Sequence, residues 1–216
     1  MRGERKMRRW GTILICGGIG SGKSELSRYL ASKGVAVYDS DSRTRALYDN
    51  DPGLVERLGE SLGASLLGPD GKLDRKALAD IIFTDHSALR KCEAIVHPAV
   101  LEDFRKWKTA MSEAEWCGYA GSSPFVCMES AIALGLPLFR NEFDCSVCVD
   151  ASLETRIARA SARDNADPEA IRARIAIQAR ITGTADFVIE NNGTAEELHS
   201  SADEVFRQIG RLLSLN

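Results

Sequence analysis

Residues 17–24 read Gly17-Gly18-Ile19-Gly20-Ser21-Gly22-Lys23-Ser24 and fit the spacing G-x-x-x-x-G-K-[S/T]. Each residue type has a task in holding a polyphosphate. Glycines let the backbone curl so that successive N–H groups converge on phosphate oxygens. Lys23 can reach the β- and γ-phosphates, and the Ser24 hydroxyl can ligate Mg²⁺. The candidate nucleotide-binding residues are therefore Gly18, Ile19, Gly20, Ser21, Gly22, Lys23, Ser24 and Glu25. Mg²⁺ is the expected metal, with Ser24 as its ligand.

A second group of chemistry-bearing residues follows at Asp39 and Asp41, with Arg43 and Arg45 just beyond. A carboxylate there could accept a proton from an attacking hydroxyl during phosphoryl transfer, the role read for Asp39. Asp41 has three readings of equal standing: capping a helix that begins near Ser42, indirect magnesium support, or catalysis. A third group is cationic. Arg156, Arg159, Arg163, Arg172, Arg174 and Arg180 crowd two short helical stretches. They form either a solvated face or a lid that closes over the phosphates, and the lid is the sharper expectation.

These groups need a scaffold that brings them to one edge, and the hydrophobic pattern supplies one. Apolar, partly β-branched runs at 12–16, 35–38, 125–129, 145–149 and 186–189 alternate with helical stretches. That alternation predicts an α/β chain, a five-stranded parallel sheet with helices on both faces in three layers. In such sheets ligands sit beyond the carboxyl ends of the strands, where residues 17–24 and 39–41 fall. Helix follows the glycine loop from Lys23 to Lys33, with Leu26, Tyr29 and Leu30 on one face and Gly34 as a stop.

The long interval after the second strand reads as helices at 54–62, 75–83 and 87–108, with a turn at Gly68-Pro69-Asp70-Gly71. Pro98 is expected to begin a new helix or to kink the one before it. Lid helices are predicted at 153–163 and 168–180. A last helix at 195–213 presents Leu198, Val205, Ile209 and Leu212. The organisation expected is one domain, with a core at about 10–45, 120–152 and 184–216. A helical substrate subdomain occupies about 46–119 and a lid about 153–183.

Composition excludes several classes. A net charge of −3 gives no global attraction to nucleic acid or anionic membranes. No apolar run approaches the roughly 20 residues needed to span a bilayer. The basic opening, residues 1–9, leads straight into the first strand, so cleavage there as a signal peptide would destroy the glycine loop. The expectation is a cytoplasmic protein, with Met7 as an alternative start. Of the six cysteines, Cys145 and Cys148 have C-x-x-C spacing, but they sit in a strand pattern with no second pair or His cluster. Free structural thiols in a reducing compartment fit all six.

The loop, followed by Asp39-x-Asp41-x-x-x-Arg45, resembles the opening signature of the dephospho-coenzyme A kinases. The resemblance continues in order through 70–75 (DGKLDR), 95–98 (IVHP), Arg159-x-x-x-Arg163-Asp164, Arg174-x-x-x-Gln178 and 186–193 (DFVIENNG). It implies ATP as donor and phosphorylation of the ribose 3′-hydroxyl of dephospho-coenzyme A, a small-molecule substrate, by a monomer or small homo-oligomer. By resemblance Asp39 is the general base and Lys23 the phosphate clamp, with Arg159 and Arg163 touching phosphates from the lid. Asn192 lies on the adenine side or forms a structural turn. Asp41 and Arg45 belong to the acceptor side, and His97 either contacts substrate or packs between helices.

Two departures stand out. Glu25 replaces the family's usual Thr, and its carboxylate is expected to point away from the triphosphate. Where the family's third strand commonly ends in Pro-Leu-Leu-Phe-Glu, this chain has residues 128–134 (MESAIAL), so Glu129 arrives early. Glu129 either supports magnesium through water, organises the loop, or forms a salt bridge. The alternatives to this kinase are another small-molecule kinase, acting on a nucleoside or sugar acid, and a slow nucleotide-dependent switch. No Asn-Lys-x-Asp element for reading guanine is present.

Overall fold

The computed structural model describes residues 10–112, 125–178 and 185–215. Five strands form one sheet: β1 (Gly11–Gly17), β2 (Ala36–Asp39), β3 (Phe125–Glu129), β4 (Cys145–Asp150) and β5 (Phe187–Glu190), in the order β2-β3-β1-β4-β5. β1 runs parallel to both β3 and β4, and β4 parallel to β5. β1 is buried along its whole length, which is why an unbroken apolar run, rather than an alternating one, encodes it. The chain leaves β1 toward one edge and later returns to fill the other. The carboxyl end of β1 is therefore the switch point where such sheets bind ligands.

Alternation along the strands sorts the side chains. Ile13 and Ile15 join Phe125, Cys127, Val147, Val149 and Ile189 in a core closed by α1 (Lys23–Ser32) and α8 (Ala195–Leu215). Phe206 of α8 is fully buried there and stacks on Phe125. Leu14, Cys16, Met128 and Cys148, one residue out of phase, are buried on the opposite face.

The chain divides into two compact units, one comprising Met1–Tyr38 with Ala110–Asn216, the other Asp39–Thr109. The second unit begins at Asp39 and so contains α2 (Ser40–Asn50), much of which the sequence reading assigned to the core. It continues with α3 (Pro52–Leu62), α4 (Arg75–Thr84) and most of α5 (His86–Ser112). Arg43 of α2 grips Asp103 of α5 through two hydrogen bonds of 2.6 and 2.8 Å. Arg75, opening α4, bonds Asp49 near the end of α2. The turn at 68–71 is closed by a bond from the Gly71 N–H to the Gly68 carbonyl.

Pro98 corrects one expectation, because it starts no new helix. It lies inside α5, which continues through it. The missing N–H leaves one backbone bond unmade, and the helix is held on both sides by buried Val96, Val100, Leu101 and Phe104.

The segment expected to form a lid is a helical hairpin of the first unit, α6 (Leu153–Asp164) and α7 (Pro168–Ile177). Ser152 and Asp167 cap the two helices, Pro168 occupies the first turn of α7, and Asn165 turns the corner at φ 48°. α7 ends at Ile177, short of the expected 180, and residues 179 and 180 lie outside the described residues. Ile157, Ala160, Ile171 and Ile175 form a small core belonging to the hairpin itself.

Candidate active site

The glycine loop joins β1 to α1, and glycine is required at two of its turns. Gly20 has φ 74°, and a β-carbon there would strike the backbone carbonyl of Arg156 in α6. Gly22 has φ 103°, and its β-carbon would fall on the Asn191 amide. Both positions combine a left-handed backbone with a close neighbour, which only glycine tolerates. The Ser21 N–H closes on the Gly18 carbonyl, while the Glu25 and Leu26 N–H groups already bond the Gly22 carbonyl. The N–H groups of Gly20, Gly22, Lys23 and Ser24 have no acceptor among the described residues. These are the orphan donors of a helix start and the turn before it, where the helix dipole also favours an anion. The Lys23 side chain is half-buried and has no ion pair among the described residues.

Ser24 and Glu129 come together. The Ser24 hydroxyl donates to Glu129 Oε1 at 2.6 Å, and Glu129, the last residue of β3, is only 8% exposed. Its partner is thus a hydroxyl of the loop and not a basic side chain, so the salt-bridge reading of Glu129 is set aside. The Glu25 carboxylate is turned away from the loop, held by His199 of α8 at 3.1 Å and Arg28 at 2.7 Å.

Residues beyond β5 support the loop from beneath. The Asn191 side chain, buried, donates to the Ser21 carbonyl at 2.8 Å. Asn192 instead accepts from the Ser152 N–H at 2.7 Å, fixing the start of α6. The sequence singled out Asn192; its neighbour is the one bonded to the loop. A cavity of about 620 Å³ opens beside Gly18, lined among others by Asp150, Ser152, Arg156, Gln178, Glu190 and Asn192.

The arginines of the α6–α7 hairpin divide unexpectedly. Arg159 donates to the carbonyls of Asn191 at 2.7 Å and Gly193 at 2.9 Å. Arg163 pairs with Asp164 at 2.7 Å, and Arg174 joins the same carboxylate at 3.1 Å. Hydrogen bonding from Arg163, aided by Arg174, holds the Asp164 carboxyl down at about 2. Neither Arg159 nor Arg163 bonds the glycine loop among the described residues. Arg156 does, donating from Nε to the Ile19 carbonyl at 2.9 Å. The sequence placed Arg156 in the cluster without choosing it, since helical spacing does not say which arginine faces inward.

In the second unit, Asp39 is the N-cap of α2. Its Oδ1 accepts from the Asp41 and Ser42 N–H groups at 3.0 and 3.2 Å, and its Oδ2 from the Ser42 hydroxyl at 2.6 Å. The helix starts at Ser40, so Asp41 is not a cap; it lies exposed in the first turn. Arg45 is likewise exposed on α2. His97 is half-buried on α5, and burial lowers its pKa from the usual 6.5, opposed in part by Glu93. Ile95 and Pro98 of the same motif line a separate cavity of about 320 Å³ with Arg57 and Lys106.

Comparison with known proteins bears on the chemistry directly. The family model for dephospho-CoA kinase matches residues 12–197. A dephospho-CoA kinase of Thermobifida fusca is 34% identical over 203 residues, covering 92% of this chain and 96% of that protein. One from Porphyromonas gingivalis is 40% identical over 169 residues, 78% of each chain. Among solved structures, TT1252 from Thermus thermophilus superposes with a TM-score of 0.74 at 29% identity, covering 93% of this chain and 98% of that one.

Proposed function

The chain belongs to the dephospho-CoA kinase family, and on that premise we propose how its side chains divide the reaction. It is an ATP-using transferase that phosphorylates the ribose 3′-hydroxyl of dephospho-CoA, the last step of coenzyme A formation. The observation that carries the assignment of the donor site is the row of unpaired N–H groups at Gly20, Gly22, Lys23 and Ser24. Four free donors at a helix start that also carries a lysine suit a polyphosphate.

Lys23 lies on the β- and γ-phosphates and offsets charge that grows on the bridging oxygen. Ser24 and Glu129 fit a magnesium ion by their donor chemistry, hard oxygens with the hydroxyl proton directed at the carboxylate. That arrangement leaves a serine lone pair for the metal, while Glu129 holds the hydroxyl in orientation from behind. Held at Ser24, a magnesium ion would supply positive charge against the phosphoryl groups of the bound nucleotide.

Asp39 accepts the proton of the 3′-hydroxyl as that oxygen attacks. Ser42 and two backbone N–H groups fix the orientation of its carboxylate. Asp41, Arg45 and His97 serve the acceptor side. Arg159 and Arg163 approach the phosphates from the lid, which requires Arg163 to exchange Asp164 for a phosphate oxygen. Asn192 serves the adenine side, a reading supported by its position on the lining of the cavity next to Gly18. The five described cysteines are free and buried, and this supports a reducing, cytoplasmic setting.

The decisive experiment is a coupled ADP-release assay with dephospho-CoA against AMP, adenosine, shikimate and gluconate. ADP release with dephospho-CoA, and product phosphorylated at the 3′ position, is expected. Release with one of the others and none with dephospho-CoA refutes the acceptor assignment.

A further inference from the structure

Ile19, the third residue of the glycine loop, is held by the lid at three points. Its N–H donates to Gln178 Oε1 at 2.8 Å. Its carbonyl accepts from Arg156 Nε at 2.9 Å. Its side chain packs against the hairpin core of Ile157, Ala160, Ile171 and Ile175. The Arg156 Nη2 also approaches Gln178 Oε1 at 3.5 Å, linking the two polar contacts. Gln178 closes the end of α7, its own N–H bonding the Ile175 carbonyl, so its side chain projects from a fixed backbone.

We infer that Gln178 is a positioning residue, which with Arg156 sets the orientation of the Ile19 peptides and so makes loop geometry and lid docking a single equilibrium. The inference rests on the kinase reading above for its kinetic consequence, but not for its structural one. A peptide plane in a glycine-rich loop has few steric reasons to keep one orientation. An acceptor on the Ile19 N–H and a donor on the Ile19 carbonyl give polarity to the two peptide planes flanking that residue. The row of donors from Gly20 to Ser24 then starts from a fixed plane. Lifting the lid away would break both hydrogen bonds and expose the Ile19 side chain together.

The choice of glutamine follows from charge. An acceptor is needed for the Ile19 N–H, and the site adjoins a polyphosphate loop. A carboxylate would accept the same bonds while placing a negative charge beside the phosphates. A neutral amide serves the loop without that repulsion. Glutamine also differs from the remaining lid side chains: Arg159 and Arg163 are bonded to the β5–α8 loop and to Asp164.

Two variants separate geometry from charge. In Gln178→Leu the acceptor is gone and the shape approximately kept; in Gln178→Glu the acceptor is kept and charge added. Backbone hydrogen exchange of Ile19 should accelerate about 10-fold or more in Gln178→Leu and stay protected in Gln178→Glu. For ATP, KM should rise about 10-fold in both, through lost loop order in one and repulsion in the other, while kcat changes less. The exchange measurement involves no acceptor, so it stands whichever hydroxyl compound the enzyme uses. Unchanged protection of Ile19 in Gln178→Leu overturns the inference. So does a wild-type KM for ATP in that variant.

Discussion

The contact between Ser24 and Glu129 permits a quantitative test of the metal site. Glu129 accepts a 2.6 Å bond from the Ser24 hydroxyl and is 8% exposed, so water competes poorly for its carboxylate. A hydrogen bond to a charged group contributes about 1.5–3 kcal/mol, against about 0.5–1.5 for a neutral one. Glu129→Gln keeps an acceptor and loses the charge, a difference of about 1–1.5 kcal/mol, or roughly tenfold. Glu129→Ala removes both and lets the hydroxyl rotate; losses behind a metal ligand reach about 100-fold. The assay is ADP release as a function of Mg²⁺ at saturating ATP and dephospho-CoA. The half-saturating Mg²⁺ concentration should rise about tenfold in Glu129→Gln and toward 100-fold in Glu129→Ala. Binding of ATP in the presence of a chelator should be nearly unchanged, since the N–H row and Lys23 are untouched. A Glu129→Ala enzyme with the wild-type Mg²⁺ dependence would refute a role for Glu129 in orienting the metal ligand.

Asp39→Asn should lower turnover by about 100-fold or more with ATP affinity preserved, because the amide can cap α2 but takes up no proton; undiminished turnover removes Asp39 as the base. Phe206→Ala empties a fully buried site stacked on Phe125 and should cost about 3–5 kcal/mol in denaturant unfolding; a loss below about 1 kcal/mol would mean α8 does not anchor the sheet. His97 is pushed by burial below its usual 6.5, so the folded state resists its protonation. Below pH 6.5 the unfolded chain takes up this proton first, so stability falls as pH drops toward the lowered folded value. Part of that fall should vanish in His97→Gln, and an identical pH profile for the variant refutes it.

Much of the scaffold was legible because buried parallel strands are written as unbroken apolar runs; β3 was read at 125–129 and is found there. The interior of α5 was less legible. Proline forbids only one bond, and a helix packed along Val96, Val100 and Phe104 can carry it, a tertiary effect no local signal announces. Site geometry was less legible where rotation matters. Arg156, Arg159 and Arg163 recur at helical spacing, and spacing alone cannot say which meets the loop. For Asn191 and Asn192 the pair was visible, but strand alternation decides which side chain turns inward, and the strand's last residue lies one position before them.

Glu25 shows how a local departure can be answered from far along the chain. A carboxylate one residue past Ser24 would oppose a triphosphate if it faced the loop. It faces α8 instead, where His199 lies 3.1 Å from it and stacks on Tyr29 with ring centroids 4.0 Å apart. The Tyr29 hydroxyl donates to Asp203 at 2.7 Å, one turn further along α8. Two side chains of α1, Glu25 and Tyr29, thus tie the helix that presents the loop's N–H groups to its neighbour. The sequence showed α8 only as an amphipathic helix with an apolar face. Its polar seam has a separate consequence. It draws the negative charge of Glu25 away from the phosphates and fixes the first turn of α1, so an acidic residue at this position is compatible with a working phosphate loop.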